Sequence, residues 1–149
     1  MKKDILKVGN LVAHPGEKIQ GNLTLKSDGN YDDVQIPVTL INGLEKGKTV
    51  AITAAVHGGE YTGVFGLIKL SREIKPEDLK GQLILVHITN VSAFEAKMQY
   101  IGPIDGKNLN RCFPGDKNGT YTEKLAHLIS EEVYGQSDFF LDLHSGDIH

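Results

Sequence analysis

The sequence predicts an α/β fold, a mixed, mainly parallel sheet with helices on both faces, preceded by an N-terminal β-rich segment. Three observations carry this. Residues 49–56 (TVAITAAV), 82–89 (QLILVHIT) and 138–143 (DFFLDL) are short and nearly all apolar or β-branched, as strands buried on both faces are. Two stretches with apolar residues at helical spacing, 60–74 and 122–134, alternate with them. Residues 5 to about 45 are strand-like and punctuated by turn residues.

Taken in order, Gly21–Lys26 alternates apolar and polar residues, and Ser27-Asp28-Gly29-Asn30 is a turn cluster. Val34–Ile41 is a second β-branched run, closed by the hairpin-type signal Asn42-Gly43. The strand at 49–56 runs into His57. The helix after it sets Val64, Leu67, Ile68 and Ser71 on one stripe, and Pro76 stops it. Segment 90–118, rich in glycine, proline and asparagine, is long for a structureless connection, and such loops tend to be functional. Thr122 with Glu123 starts the second helix, whose stripe is Leu125, Leu128, Ile129 and Val133 and whose stop is Gly135. Residues 138–143 read as a central strand leading straight to His144.

At 149 residues the chain reads as a single domain, 1–149, with 1–45 a β-rich lead-in and 48–149 carrying the motifs. A net charge of -3 provides no basic field, which argues against nucleic acid. No apolar run approaches the ~20 residues of a membrane span. The basic N-terminus lacks the apolar run of a signal peptide, and the single Cys112 has no disulfide partner within the chain, so a cytoplasmic location is expected.

Ligands of open α/β sheets bind beyond the carboxyl ends of strands, where His57 and His144 both fall. With Glu60, three residues after His57 across Gly58-Gly59, they form a His₂Glu set suited to a hydrolytic zinc with one open position. His-x-x-Glu alone also describes a strand-to-helix turn with a dipole-favoured first-turn acid. The imidazole at a second strand end tips the reading toward a shared metal. Asp142 shares a face with His144 and is placed to accept the other ring proton of a metal-bound imidazole. Asn110 and Arg111 suit a clamp for a substrate carboxylate, stiffened by Phe113-Pro114-Gly115. Cys112 reads as a packed thiol, His87 as a core imidazole, and His14 and His127 as structural or surface groups.

His57-Gly58-Gly59-Glu60, Asn108-Leu109-Asn110-Arg111-Cys112-Phe113-Pro114-Gly115 and Asp142-Leu143-His144-Ser145-Gly146-Asp147 together resemble, in order and spacing, the motifs of the succinylglutamate desuccinylase/aspartoacylase family. This is a branch of the zinc carboxypeptidase-like fold, and the likeness covers roughly residues 48–149. It implies one zinc per chain on His57, Glu60 and His144, with Asn110 and Arg111 binding the carboxylate of an N-acyl amino acid or similar small substrate. Zinc-bound water would then cleave the amide (or ester) bond. Two departures are visible. Where the family carries an oxyanion-stabilising arginine, Lys97–Tyr100 offers Gln99, or Lys97 if the loop shifts. Losing one such donor costs about 10²–10³ in rate. The family's general-base glutamate is expected downstream of His149, so the chain reads as part of a longer enzyme or a truncated product, to be completed by a missing half or a homo-oligomer. A central strand so close to the end is also expected to leave an open apolar edge and to promote self-association. The alternatives are a non-catalytic zinc- or carboxylate-binding module and a metallocarboxypeptidase acting on peptides.

Overall fold

The parallel core of the sheet is β5 (Glu45–Ala54) flanked by β6 (Lys80–Val86) and β7 (Phe139–Leu143), in a computed structural model that describes residues 5–146. On the far side of β6, β4 (Val34–Asn42) and then β3 (Lys18–Leu25) extend it antiparallel, giving the order β3-β4-β6-β5-β7. The sheet is therefore mixed, as expected, and its antiparallel half comes from the N-terminal segment. Short strands β1 (Leu6–Val8) and β2 (Leu11–Ala13) form a separate ribbon.

The period of two along β6 explains why helices cover both faces. Leu83 and Leu85 pack with Val64 and Leu67 of α1 (Tyr61–Glu73). Ile84 and Val86 pack on the opposite face with Leu125 and Ile129 of α3 (Tyr121–Glu132). Among the described residues no helix is long and apolar enough to cross a membrane.

Several boundaries differ from expectation, each for a local reason. Asn42-Gly43 joins β4 to β5 without making a hairpin, because β6 lies between those strands. Gly43 is needed there for clearance, since a Cβ would fall 2.0 Å from the Leu79 carbonyl oxygen. Strand β5 ends at Ala54, two residues early. The Thr89 N–H and hydroxyl both donate to the Ala54 carbonyl at 2.9 Å, the Asn90 N–H donates to that of Ala55, and Ala55 adopts a left-handed φ of 53°. Segment 90–118 contains a short helix, α2 (Val91–Glu95), capped by the Asn90 side chain, and a 3₁₀ turn at Leu109–Arg111. Helix α3 starts one residue before Thr122. Its N-cap is Thr120, whose N–H donates to Glu123 at 2.8 Å, while Thr122 gives its N–H and hydroxyl to Asp105.

Among the described residues β7 is the sheet edge, and Phe139, Phe140 and Leu141 are 60%, 57% and 56% exposed. An apolar run fixes strand character, whereas position in a sheet is fixed by pairing partners that composition does not report. The open apolar edge expected from the sequence is present, with Phe140 stacked on Tyr134 at 4.3 Å.

Candidate metal centre

Parallel pairing of β5 and β7, with Ala54 opposite Leu143, makes both chains leave the sheet at one edge. His144 is the first residue past β7, and His57 comes three past β5. Glu60 is the N-cap of α1, not a first-turn acid, and its side chain caps no backbone group. Its carboxylate is thus free to face the imidazoles instead of its own helix.

The three side chains converge. His57 Nδ1 lies 2.9 Å from Glu60 Oε1, and His144 Nδ1 lies 2.9 Å from Glu60 Oε2. The set offers three ligand atoms, all within 4.8 Å of one another. His57 and Glu60 are buried, His144 exposed. Outward, His57 Nε2 meets Asn108 Oδ1 at 3.2 Å and His144 Nε2 meets Asp142 Oδ2 at 2.7 Å. Each ring therefore has an oxygen at both nitrogens, while a neutral imidazole brings one N–H. Glu60 Oε2 is buried and, despite its short approach to His144, makes no hydrogen bond. Such a set needs positive charge at its centre, and its donors fit a divalent metal.

Asp142 lies beside His144, with Oδ2 2.7 Å from the ring Nε2. Its other oxygen accepts from the Thr53 hydroxyl at 2.8 Å, a shorter contact than that hydroxyl makes with the Leu141 carbonyl at 3.4 Å. The hydroxyl has one proton, so Tyr134 is the donor in the 3.1 Å contact between the Tyr134 and Thr53 oxygens. Burial pushes the Tyr134 phenol up to about 12, which keeps that proton in place. Thr53 and Tyr134 were not singled out from sequence. A threonine on the same strand face as core residues was the available signal.

Asn110 and Arg111, expected from the sequence to clamp a carboxylate, sit on the 3₁₀ turn. Asn108 caps it, accepting from the Asn110 N–H at 2.9 Å, and Leu109 anchors it in the core. Gly115 pins its far side to α3, where a Cβ would fall 2.1 Å from His127 N. Arg111 is exposed, and its guanidinium has no ion-pair partner among the described residues. A cleft of about 430 Å³ runs from Asn110 and Asp142 past Phe113, Tyr134 and Phe140. Cys112 donates to the Asn108 carbonyl, and burial pushes its thiol up, as befits a packed cysteine. His87 is also structural, with Nε2 on Thr39 at 2.8 Å and its pKa lowered by burial. Gln99 and Lys97 are exposed, Gln99 lying beside Gly59. The neighbour standing edge-on against His57, at 5.5 Å between rings, is Tyr100, which sequence reasoning passed over.

Gly58 sets how closely this turn approaches α2, since a Cβ would lie 2.1 Å from Ala93 O and 2.5 Å from Met98 O. Gly58→Ala is expected to cost about 1–3 kcal/mol of stability, read as a shifted denaturation midpoint. An unchanged midpoint would show that the turn yields freely.

A mixed α/β sheet with a His₂Glu donor set at the ends of neighbouring parallel strands defines a protein with the makings of a metal centre. Residues 46–149 match the succinylglutamate desuccinylase/aspartoacylase catalytic domain, and the chain belongs to that family. It is 44% identical over 113 residues to the N-alpha-acetyl-L-2,4-diaminobutyric acid deacetylase of Halomonas elongata, covering 76% of this chain and 32% of that protein. Among solved structures it is similar to the product-bound ectoine utilization protein EutE (DoeB) of Ruegeria pomeroyi, with 36% identity and TM-score 0.81 over 98% of this chain and 44% of that one. An aspartoacylase family protein of Mesorhizobium loti gives 34% identity and TM-score 0.80, over 87% of this chain and 40% of that one. The chain thus spans about a third of the curated relative and less than half of these structures.

Proposed function

We propose that the chain carries the metal-binding part of a zinc-dependent deacylase, one that cleaves the amide (or ester) bond of an N-acyl amino acid or similar small carboxylate in the cytoplasm. The observation that carries this reading is the buried Glu60 carboxylate, flanked at 2.9 Å on each oxygen by an imidazole Nδ1. His57, Glu60 and His144 would hold the ion. Zinc in such a set activates water near neutral pH and polarises a carbonyl. Asp142 keeps the ring proton of His144 on Nε2 and so turns Nδ1 inward. Arg111, with Asn110, would bind the substrate carboxylate, placing the acyl bond toward the strand ends.

The deacetylase activity in the Halomonas elongata relative's name makes an N-acetylated diamino acid the natural first substrate. Zinc content and acid release are measured together, with N-acetyl and N-succinyl amino acids beside short peptides. The chain is assayed alone and with the remainder of a full-length relative supplied as a second polypeptide. Bound zinc with hydrolysis of N-acyl amino acids is expected. Bound zinc without hydrolysis in either arm would favour a binding module, and preferential peptide cleavage would favour a carboxypeptidase.

A further inference from the structure

Resting on the reading of His57, Glu60 and His144 as metal ligands, we infer that Thr89 and Asn90 are positioning residues. They hold Ala55 in a left-handed kink that aims the turn carrying His57 and Glu60 at His144. The kink shows in the packing. Alternate residues of a strand share a face, so Ile52, Ala54 and Val56 should all lie on the α1 side of the sheet. Ile52 and Ala54 do, in the cluster that contains Val64 and Leu67. Ala55, the next residue, packs in that same cluster, and Val56 crosses to the side of Leu125 and Ile129. The alternation therefore slips at Ala55, whose φ is 53°. Alanine rarely takes that conformation, because its Cβ crowds the following carbonyl, so surrounding contacts must hold it there.

The segment between β6 and α2 supplies the hold. Three successive carbonyls, those of Ala54, Ala55 and Val56, accept from Thr89 and Asn90. Thr89 gives its N–H and its hydroxyl to Ala54, both at 2.9 Å. Asn90 gives its N–H to Ala55 at 3.0 Å and its amide nitrogen to Val56 at 3.4 Å. The amide is oriented from its other end. Its Oδ1 faces the Ala93 N–H, which can only donate, so the nitrogen is left for Val56. Thr89 and Asn90 are both buried. The Ala93 N–H bond also caps α2, and the Ala93 carbonyl lies against Gly58. The ligand turn is thus held on both sides of His57, by the carbonyls before it and through α2 by the glycine after it. A residue needed only to cap α2 would require neither the Asn90 amide nitrogen nor the Thr89 hydroxyl.

Thr89→Val with Asn90→Ser removes both side-chain donors. It leaves the two backbone N–H groups and, in serine, an oxygen that can still cap a helix. In the 149-residue chain this double variant is expected to weaken zinc binding, measured by competition with a chelator. The loss should be about 10–100-fold, as for other groups that orient a metal ligand. Adding Ala55→Gly should restore most of that affinity, since glycine takes a left-handed φ without being held. A variant that was only less stable would gain nothing from glycine, which loosens the unfolded chain further. In the metal-free protein, Ala55 Cα and Cβ chemical shifts with the HN–Hα coupling report φ directly. They should show a left-handed Ala55 in the wild type and a shift toward extended backbone in the double variant. A folded double variant that binds zinc like the wild type overturns the proposal, as does a loss that Ala55→Gly leaves unrestored. Should the double variant not fold, Asn90→Ser alone carries the same comparison, and an extended Ala55 in the wild type overturns the kink whatever the variants do. A folded wild type that binds no zinc removes the metal reading instead, and the Ala55 conformation in the variants still decides whether Thr89 and Asn90 set the kink.

Discussion

Replacing both His57 and His144 by alanine is expected to weaken zinc binding about 10⁴-fold and to remove hydrolysis with it. A tetrahedral zinc site is worth roughly 10–16 kcal/mol at neutral pH, or about 3 kcal/mol for each of four ligands. Losing two leaves about 6 kcal/mol unmade, and each 1.4 kcal/mol is tenfold. The effect should appear on metal and not on folding, because His144 lies exposed beyond the end of β7 and His57 lies in the turn after β5. On the apo side Glu60, which is 5% exposed, loses both flanking imidazoles, and Asn108 and Asp142 each lose a ring contact. Zinc titration with circular dichroism on the same samples separates the two. A folded double variant that still binds zinc like the wild type would place the metal elsewhere and remove the basis for reading this edge as the reaction centre.

Much of this geometry was legible because it follows from short-range rules. Continuous apolar runs located β5, β6 and β7, and helical stripes located α1 and α3. Two histidines at strand ends could be placed at one edge because parallel strands share a direction. What could not be read depends on partners distant in sequence. The turn residues 42–43 look like a hairpin, but β6, drawn from 80–86, inserts between the strands they join. Thr122 resembles a helix cap until Asp105, seventeen residues away, takes its hydroxyl and N–H. The supporting residues were hidden for the same reason. Asn108 in a polar loop, Thr53 in an apolar strand and Tyr134 at a helix end show their purpose only once His57 and Asp142 are beside them.

The other large effect is expected at Arg111. The Arg111 guanidinium is exposed and has no ion-pair partner among the described residues, and its backbone belongs to a short, anchored turn. The Asn108 cap, buried Leu109, the packed Cys112 thiol and Gly115 against α3 restrict its backbone on every side. Ordering entropy for the clamp is thus largely met before substrate arrives. A charge-assisted hydrogen bond is worth about 1.5–3 kcal/mol, so losing a bidentate pair of them should lower kcat/KM by about 10²–10⁴. Arg111→Ala should show this loss on an N-acyl amino acid in whatever assembly is active. Arg111→Lys should recover only part of it, because an ammonium restores the charge but not the planar fork. The deciding comparison is the same substrate as its methyl ester at the amino-acid carboxyl. The wild type should handle that ester poorly, and Arg111→Ala should lose little further on it, since both halves of the pair cannot be removed twice. An equal loss on free acid and ester would mean that Arg111 shapes the loop and does not hold the carboxylate. A loss confined to the free acid would identify the charge that selects acidic substrates at this edge of the sheet.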